Sequence, residues 1–471
     1  MRALLISTYD LGHQPFGLAS PAAWLRREGL DVRCADLSKE RLGDDALAAA
    51  EFIAFHLPMH TATRLAAPVI ARARHLNRAA RICAYGLYAP LNADWLRSIG
   101  VDDVLGGEFE EALTELARMR RDGARVPGRA DAVPASGRPA LEPPPLPKLR
   151  FLQPDRSGLL PLSQYAAVHL PDGGRRVVGY TEASRGCRHL CRHCPVVPIY
   201  NGQFRIVQQD VVLADVHAQV AAGAEHITFG DPDFFNGPTH AMRIVDELHQ
   251  AHPSLTYDVT IKVEHLLAHR DLLPRLRDTG CLFVTTAVES LDDRVLAILD
   301  KGHTRLEFIE AVALCRAASV TIVPTFVAFH PWSSLADYCD LIDTLAALEL
   351  VDHMAPIQLA IRLLVPAGSR LLEREDVRAM VGPFDAKTLT YRWAHPDPDV
   401  DALQQDVSAI VGRRLTSDRR AAFAAISALA HTRAGLPAPE PVPWSSVMPV
   451  PYVDEPWYCC AEPNPEQLTL V

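Results

Sequence analysis

From about residue 176 to residue 375 the chain alternates strand-like apolar runs with helical ones, six times over. The strand-like runs are "VVGYTEA", "HITFGD", "YDVTIKV", "LFVTTAVES", "VTIVPTFVAF" and "PIQLAIRLLV", with helical stretches such as "VVLADVHAQVAAG" and "RLEFIEAVALCRAAS" between most of them. Strands separated by a helix-length run cannot close as hairpins, so they must pair in parallel through βαβ crossovers. Six such units are too few for a closed eight-stranded barrel. They predict an open, partial (β/α)6 barrel.

The front of the chain carries the same pattern. "RALLIST", "DVRCAD", "FIAFHLP" and "ARICAYG" read as strands, "SPAAWLRREG" as a helix closed by Gly29, and "DVLGGEFEEALTELARMRR" ends the unit with a helix. The predicted fold class is therefore α/β, with a Rossmann-like doubly wound domain over residues 1–118. Ligands of such a sheet bind at the carboxyl ends of its strands. Residues 119–150 are rich in Pro, Ala, Gly and Arg, with Pro143–Pro145 favouring an extended run, and read as a linker. The partial barrel then occupies 151–375. A mostly helical or irregular C-terminal segment, 376–471, contains the helix "DRRAAFAAISALAHTRAG" and ends in a cysteine-pair tail.

The balance of 47 basic and 57 acidic residues, net −10, argues against general nucleic-acid binding. No run approaches the ~18–20 apolar residues of a membrane span, and "MRALLISTYD" is too short for a secretory apolar region. A cytoplasmic protein is expected, with its ten cysteines kept reduced. Clustered cysteines in that compartment point to metal or catalysis.

Three of the ten stand together in "CRHLCRHCP": Cys187, Cys191 and Cys194. A structural zinc site takes four protein ligands, so here His189 or His193 would have to complete it. A [4Fe–4S] cluster held by three thiolates instead leaves one iron with an open position, the mark of a catalytic centre. The motif directly follows the first strand of the barrel, at the end where barrels do chemistry.

The spacing Cys-x3-Cys-x2-Cys in this place resembles the radical S-adenosylmethionine superfamily. His193 stands where an aromatic residue is usual. "ITFGDPDFFN", "VESLDDRVLAILDKGHT" and "IRLLVPAGSRLLE" are similar to successive stretches of the subgroup with a cobalamin-binding-like front domain. The resemblance implies a [4Fe–4S] cluster on the three cysteines, S-adenosylmethionine on its open iron, and an electron donor such as flavodoxin or ferredoxin. Cofactor-binding candidates follow from it. Gly230 would let the backbone approach the cofactor, and Asp231 or Asp233 would accept from its ammonium. Glu289 and Ser290 would bind ribose hydroxyls, and Lys262 or Arg362 would pair with its carboxylate from inside the barrel. His330, in "FHPWSS", is a candidate substrate-specific feature. In the front domain, Asp10, His13 and Gly17 of "YDLGHQPFG" lie at spacings other than the Asp-x-His-x-x-Gly of domains that ligate cobalt through histidine. Binding of cobalamin without a histidine ligand, and a relic domain that covers the barrel mouth, both stay open.

The chain ends "PWYCCAEPNPEQLTLV". Adjacent cysteines rarely bridge each other, because the ring is strained; two soft sulfurs side by side suit a soft, thiophilic centre. The ending resembles the radical enzymes named for a CCAEP or CUAEP tail, some of which are similar to arsinothricin-pathway enzymes. That resemblance implies Cys459 and Cys460 as catalytic residues holding arsenite. It also implies transfer of the 3-amino-3-carboxypropyl group of S-adenosylmethionine to trivalent arsenic. The alternatives are a cobalamin-dependent radical methyltransferase or another carbon-centred modification of a small molecule or peptide, and a metal-scavenging tail. Cys34, Cys83, Cys281, Cys315 and Cys339 lie in apolar runs and read as small core residues.

Overall fold

The computed structural model describes residues 1–123, 146–413, 419–437 and 450–454. In the front domain, β1 (Arg2–Ser7), α1 (Phe16–Arg27), β2 (Asp31–Asp36), α2 (Asp44–Ala49) and β3 (Phe52–His56) come first. They are followed by α3 (His60–Leu76), β4 (Arg81–Tyr85), α4 (Ala93–Ser98), β5 (Asp103–Leu105) and α5 (Glu110–Arg121). The five strands form one parallel sheet in the order β2-β1-β3-β4-β5. Alternation along β1 and β3 feeds two cores. Leu4, Ile6, Ile53 and Phe55 enter one, while Ala3, Leu5, Phe52 and Ala54 enter the other. A sheet buried on both faces needs such continuous apolar runs. β5 is a strand beyond the four read from the sequence.

The second unit holds β6 (Ala167–His169), β7 (Arg175–Thr181), β8 (Ser184–Gly186), α6 (Val197–Tyr200), β9 (Phe204–Ile206), α7 (Gln209–Ala221) and β10 (His226–Phe229). It continues through α8 (Pro238–Ala251), β11 (Thr256–Thr260), α9 (Val263–Ala268), α10 (Leu273–Asp278), β12 (Cys281–Glu289), α11 (Asp293–Leu299), α12 (Arg305–Ala317), β13 (Thr321–Phe326) and α13 (Leu335–Ala347). Its sheet runs β13-β12-β11-β10-β7, all parallel, and extends from β7 through antiparallel β6 to β16 (Tyr452–Val453). This is the expected curled half-barrel, with its last strand reduced. The run Pro356–Leu359 is a 3-10 turn, and only the bridge Phe329↔Arg362 remains of the sixth strand. The Gln358 side chain accepts from the backbone N–H of Phe326 at 2.9 Å, taking the place of a strand's carbonyl. Capping boxes at Thr304/Glu307 and Ser334/Asp337 fix the starts of α12 and α13.

Beyond the barrel lie α14 (Glu375–Met380), the hairpin β14 (Val381–Asp385) and β15 (Thr390–Trp393), α15 (Pro398–Arg413) and α16 (Arg419–Ala434). Val400, Leu403, Val407, Phe423 and Ile426 join the barrel's own core, so this segment packs as part of that unit. No described helix is long and apolar enough to cross a membrane.

Residues 146–165 strap the two units together. Arg156 pairs with Asp215 of α7 at 2.9 Å, and also donates to Gln14 of the front domain and to the Tyr180 carbonyl. The sequence reading set boundaries at 118, 150 and 375; α5 runs on to Arg121 and α14 begins at Glu375. Most of the proline-rich stretch, 124–145, lies outside the described residues.

Candidate active site

The cysteine loop leaves the barrel sheet through β8, which forms a small hairpin with β9. Gly186 has φ +77°, and a Cβ there would meet Tyr200 at 2.3 Å, so only glycine makes this turn. Cys191 is buried and Cys187 and Cys194 half-buried, all three as free thiols. Burial pushes Cys187 up to about 11 and Cys194 up to about 12, and the three sulfurs lie within electrostatic reach of one another. Thiols so placed stay protonated at neutral pH unless a metal deprotonates them. Two cations stand beside them. Lys262 Nζ is 3.9 Å from Cys191 Sγ, and buried Lys301 feels Cys191 and Cys194. The residues therefore fit an iron–sulfur cluster of three thiolate ligands.

The loop is held from several sides. Arg192 donates to the Ala297 and Ile298 carbonyls at the end of α11, and its own carbonyl accepts from Leu371 N–H and Ser369 Oγ. The "PAGS" turn thus works as a brace for the cysteine loop. Arg185, two residues before Cys187, is buried and bonded to Glu110 at 2.7 Å, Glu182 at 2.6 Å and Glu108 at 3.3 Å. Glu108 and Glu110 belong to the front domain, so the barrel's metal loop is clamped to it by buried charges. Tyr200 also donates to Glu108, and Ser20 to Glu110.

The structure places the remaining candidates unevenly. Asp231 is fully committed: its two oxygens accept from Ala183 N–H at 2.8 Å and Ser184 Oγ at 2.5 Å, and burial raises its carboxyl to about 7. It holds the backbone leading into the cysteine loop. Gly230 lies under Tyr180, whose hydroxyl would be 1.7 Å from a Cβ at this position. Asp233 uses one oxygen to cap Phe235 N–H, while the other faces His265 and His189. Glu289 has φ +72° and bonds His193 at 3.1 Å and Lys301 at 3.3 Å. Burial alone would raise Glu289, but Lys301 and His193 outweigh it and hold the carboxyl down to about 2. Ser290 accepts from Asp292 N–H beside it.

Lys262, Glu289 and the cysteines are brought together; Arg362 is not. Its guanidinium lies 3.5 Å over the Trp393 ring, donates to the Trp393 carbonyl and pairs with Asp401 of α15 at 2.5 Å. His330 is buried, with its Nδ1 unpartnered and its ring held neutral by burial at about 4. Cys459 and Cys460 lie outside the described residues. Two partners were not read from the sequence: Lys301, which sat unremarked inside "DKGHT", and Arg185, whose front-domain partners Glu108 and Glu110 are 77 and 75 residues away.

Comparison with known proteins agrees with this geometry. Residues 181–344 match the radical SAM superfamily. A tRNA-2-methylthio-N(6)-dimethylallyladenosine synthase of Geobacter metallireducens is 25% identical over 196 residues, 39% of this chain and 42% of that protein. A bacteriochlorophyllide d C-12(1)-methyltransferase of Chlorobaculum tepidum is 26% identical over 28% of each chain. The chain spans less than half the length of the curated relatives it matches. Among solved structures, the cobalamin-dependent S-adenosylmethionine radical enzyme OxsB, with aqua-cobalamin and S-adenosylmethionine bound, superposes with a TM-score of 0.69. It covers 92% of this chain and 71% of its own at 12% identity. The radical S-adenosylmethionine methyltransferase TsrM of Kitasatospora setae gives 0.56 over 74% and 71%, at 18% identity. These likenesses extend the shared fold to the front domain. With the cysteine loop and its match together, residues 181–344 are a radical SAM superfamily domain, whose three cysteines fit a [4Fe–4S] cluster.

Proposed function

We propose that this enzyme transfers a carbon fragment of S-adenosylmethionine to a small-molecule acceptor bound at the barrel mouth, under the front domain. The observation that carries the reading is the clamp of Glu108 and Glu110 on Arg185, which fixes the front domain against the strand feeding Cys187. When bound, the cluster and S-adenosylmethionine supply an electron and, from it, a carbon radical. The chain's own part is positioning and exclusion of water. Cys187, Cys191 and Cys194 would hold three irons, and Lys262 and Lys301 offset the thiolate charge. The His193–Glu289–Lys301 chain keeps the far side of the loop rigid.

The likeness to the radical S-adenosylmethionine methyltransferase TsrM and to a bacteriochlorophyllide methyltransferase favours a methyl group as the fragment. The carboxyl end of β1, where such a sheet would take cobalamin, is in contact with the barrel. The His13 ring lies 5.1 Å from that of Tyr180, and Phe16 lies 6.1 Å from it. These contacts close the front domain on the barrel beside β1, and no step is derived through cobalt. A second reading, aminocarboxypropyl transfer to trivalent arsenic, draws on the tail. Asp454 is tied to Ala167 N–H and His169 on the barrel's edge strand, five residues before Cys459. Cys459 and Cys460 follow that anchor by at most about 18 and about 22 Å of extended chain.

One anaerobic experiment separates these readings. The reconstituted protein is assayed for cobalamin content, then incubated with S-adenosylmethionine and dithionite, with and without arsenite. S-adenosylhomocysteine with stoichiometric cobalamin supports methyl transfer. Methylthioadenosine together with an arsenic-bearing amino acid, lost in Cys459→Ser and Cys460→Ser, supports the arsenical reading. Absence of any product derived from S-adenosylmethionine would overturn the proposal as a whole.

A further inference from the structure

Beside the cysteine loop three side chains from three segments turn toward one point. His189 comes from the loop itself, Asp233 from the turn after β10, and His265 from α9. Asp233 is fully buried, and His189 and His265 are nearly so, with side-chain exposures of 15% and 13%. Asp233 Oδ2 lies 2.7 Å from His265 Nδ1 and 3.6 Å from His189 Nε2, and the two imidazole rings are 4.8 Å apart. All three facing atoms are buried without a hydrogen-bond partner. The short approach of His265 to Asp233 is thus not in hydrogen-bonding geometry. Leaving three polar atoms unmade at one point is costly, and nothing in the packing requires it.

Two of the same groups engage their other atoms. His189 Nδ1 faces Glu264 at 3.4 Å, and Asp233 Oδ1 accepts from Phe235 N–H. A carboxylate behind a ligating imidazole is the usual outer partner of a metal ligand, fixing its tautomer and orientation. Ligand atoms about 2.0–2.1 Å from a tetrahedral ion are about 3.3 Å from one another, a value the two distances here bracket.

We propose that His189, Asp233 and His265 bind a divalent first-row transition ion, distinct from the iron–sulfur cluster. Two imidazoles and one carboxylate form the donor set of Zn2+, Fe2+ and Co2+ sites that keep open positions. Cys187 Sγ lies within 4.8 Å of the His189 and Asp233 donor atoms. Because the cluster claims that thiolate, the second ion takes nitrogen and oxygen ligands and sits next to the cluster. The assignment stands apart from the transfer reaction, and its test reads metal rather than turnover.

The test uses the reconstituted enzyme, carrying Cys459→Ser and Cys460→Ser so that tail thiols do not compete. It is titrated anaerobically with Co2+ and followed by metal analysis, visible absorption and X-ray absorption at the cobalt edge. The expected result is one Co2+ per chain beyond the cluster iron, with two imidazoles, no sulfur in its shell and no sulfur-to-cobalt charge-transfer band. His265→Ala should weaken it at least tenfold while iron content and the cluster's electron paramagnetic resonance signal stay unchanged. Saturating S-adenosylmethionine should leave the ion in place. Four outcomes overturn the proposal: no stoichiometric Co2+, equal uptake in His265→Ala, sulfur in the shell, or displacement by S-adenosylmethionine. The last would assign Asp233 to the cofactor's ammonium. Should His265→Ala lose its cluster, the imidazole count on the unsubstituted site decides alone.

Discussion

Replacing Arg185 by methionine tests whether the domain clamp is electrostatic. Three carboxylates, Glu108, Glu110 and Glu182, converge on this one guanidinium, which also lies over the rings of Phe16, Phe109 and Phe151. Burial works against the charge on Arg185, but the three glutamates outweigh it and hold it charged well above the usual arginine range. Burial raises Glu108 and Glu182 even with Arg185 present. Methionine keeps the packing volume and removes the charge that lowers them most. Stranding buried carboxylates in this way costs about 3–5 kcal/mol, or about 10 °C in melting temperature for a unit of this size.

The sign with pH follows. A carboxylate whose folded pKa is raised contributes stability below its unfolded value, near 4.3, and loses it as pH rises through the folded value. The gap between Arg185→Met and the parent should therefore be wide at about pH 8 and narrow toward about pH 5.5. Comparison at equal pH largely cancels titrations elsewhere. Glu108→Gln is the counter-variant. It removes one of three acids from a cluster with a single cation, keeps an acceptor for Tyr200, and should cost under about 1 kcal/mol. Differential scanning fluorimetry across pH reads all three proteins. The electrostatic argument fails if Arg185→Met melts within about 2 °C of the parent at pH 8, or if the gap does not change with pH.

Any single Cys187→Ala, Cys191→Ala or Cys194→Ala should abolish the brown colour and the stoichiometric iron of the reconstituted enzyme, as measured by iron and sulfide analysis. Gly230→Ala should cost about 1–3 kcal/mol by overpacking against Tyr180. Tyr180→Phe would rescue it only partly, because Cζ would still lie 2.2 Å from the new Cβ. His56 is held neutral, at about 3, chiefly by burial and then by Arg185. Its contribution is present above about pH 6.5 and is lost as pH falls toward about 3, at about 1.4 kcal/mol per pH unit. His56→Leu should flatten the acid side of the thermal profile, and an unchanged slope would refute the assignment.

The strands of both sheets were legible because buried parallel strands must be continuously apolar, and helices must separate them. β5 escaped because Asp103–Leu105 is three half-buried residues with no run to read. The sixth barrel strand was over-read, because its apolar residues bury in a 3-10 turn as well as in a strand. What redirects the chain there is the Gln358 side chain, bonded to Phe326 32 residues earlier. The cysteine trio was legible from spacing alone. Arg362 shows the limit of that reasoning. A cation in an apolar run must find a partner, but the run does not say on which face, and Asp401 and Trp393 supply it outside the site.

The same limit explains why the braces of the cysteine loop were invisible while its ligands were not. Ligands follow a local rule of spacing; braces follow contacts made at long range. Ala183 and Ser184 meet Asp231, Arg185 meets the front domain, Arg192 meets α11 and the 369–371 turn, and His193 meets Glu289. Five of the residues from 183 to 193 are thus fixed by five separate parts of the chain. A site that must present an open iron to a cofactor needs its ligands held rigidly, since a loosely supported loop would lose the geometry. On this argument the front domain is a structural member of the metal site. Its buried glutamates belong with the cysteines in any account of how the cluster is positioned.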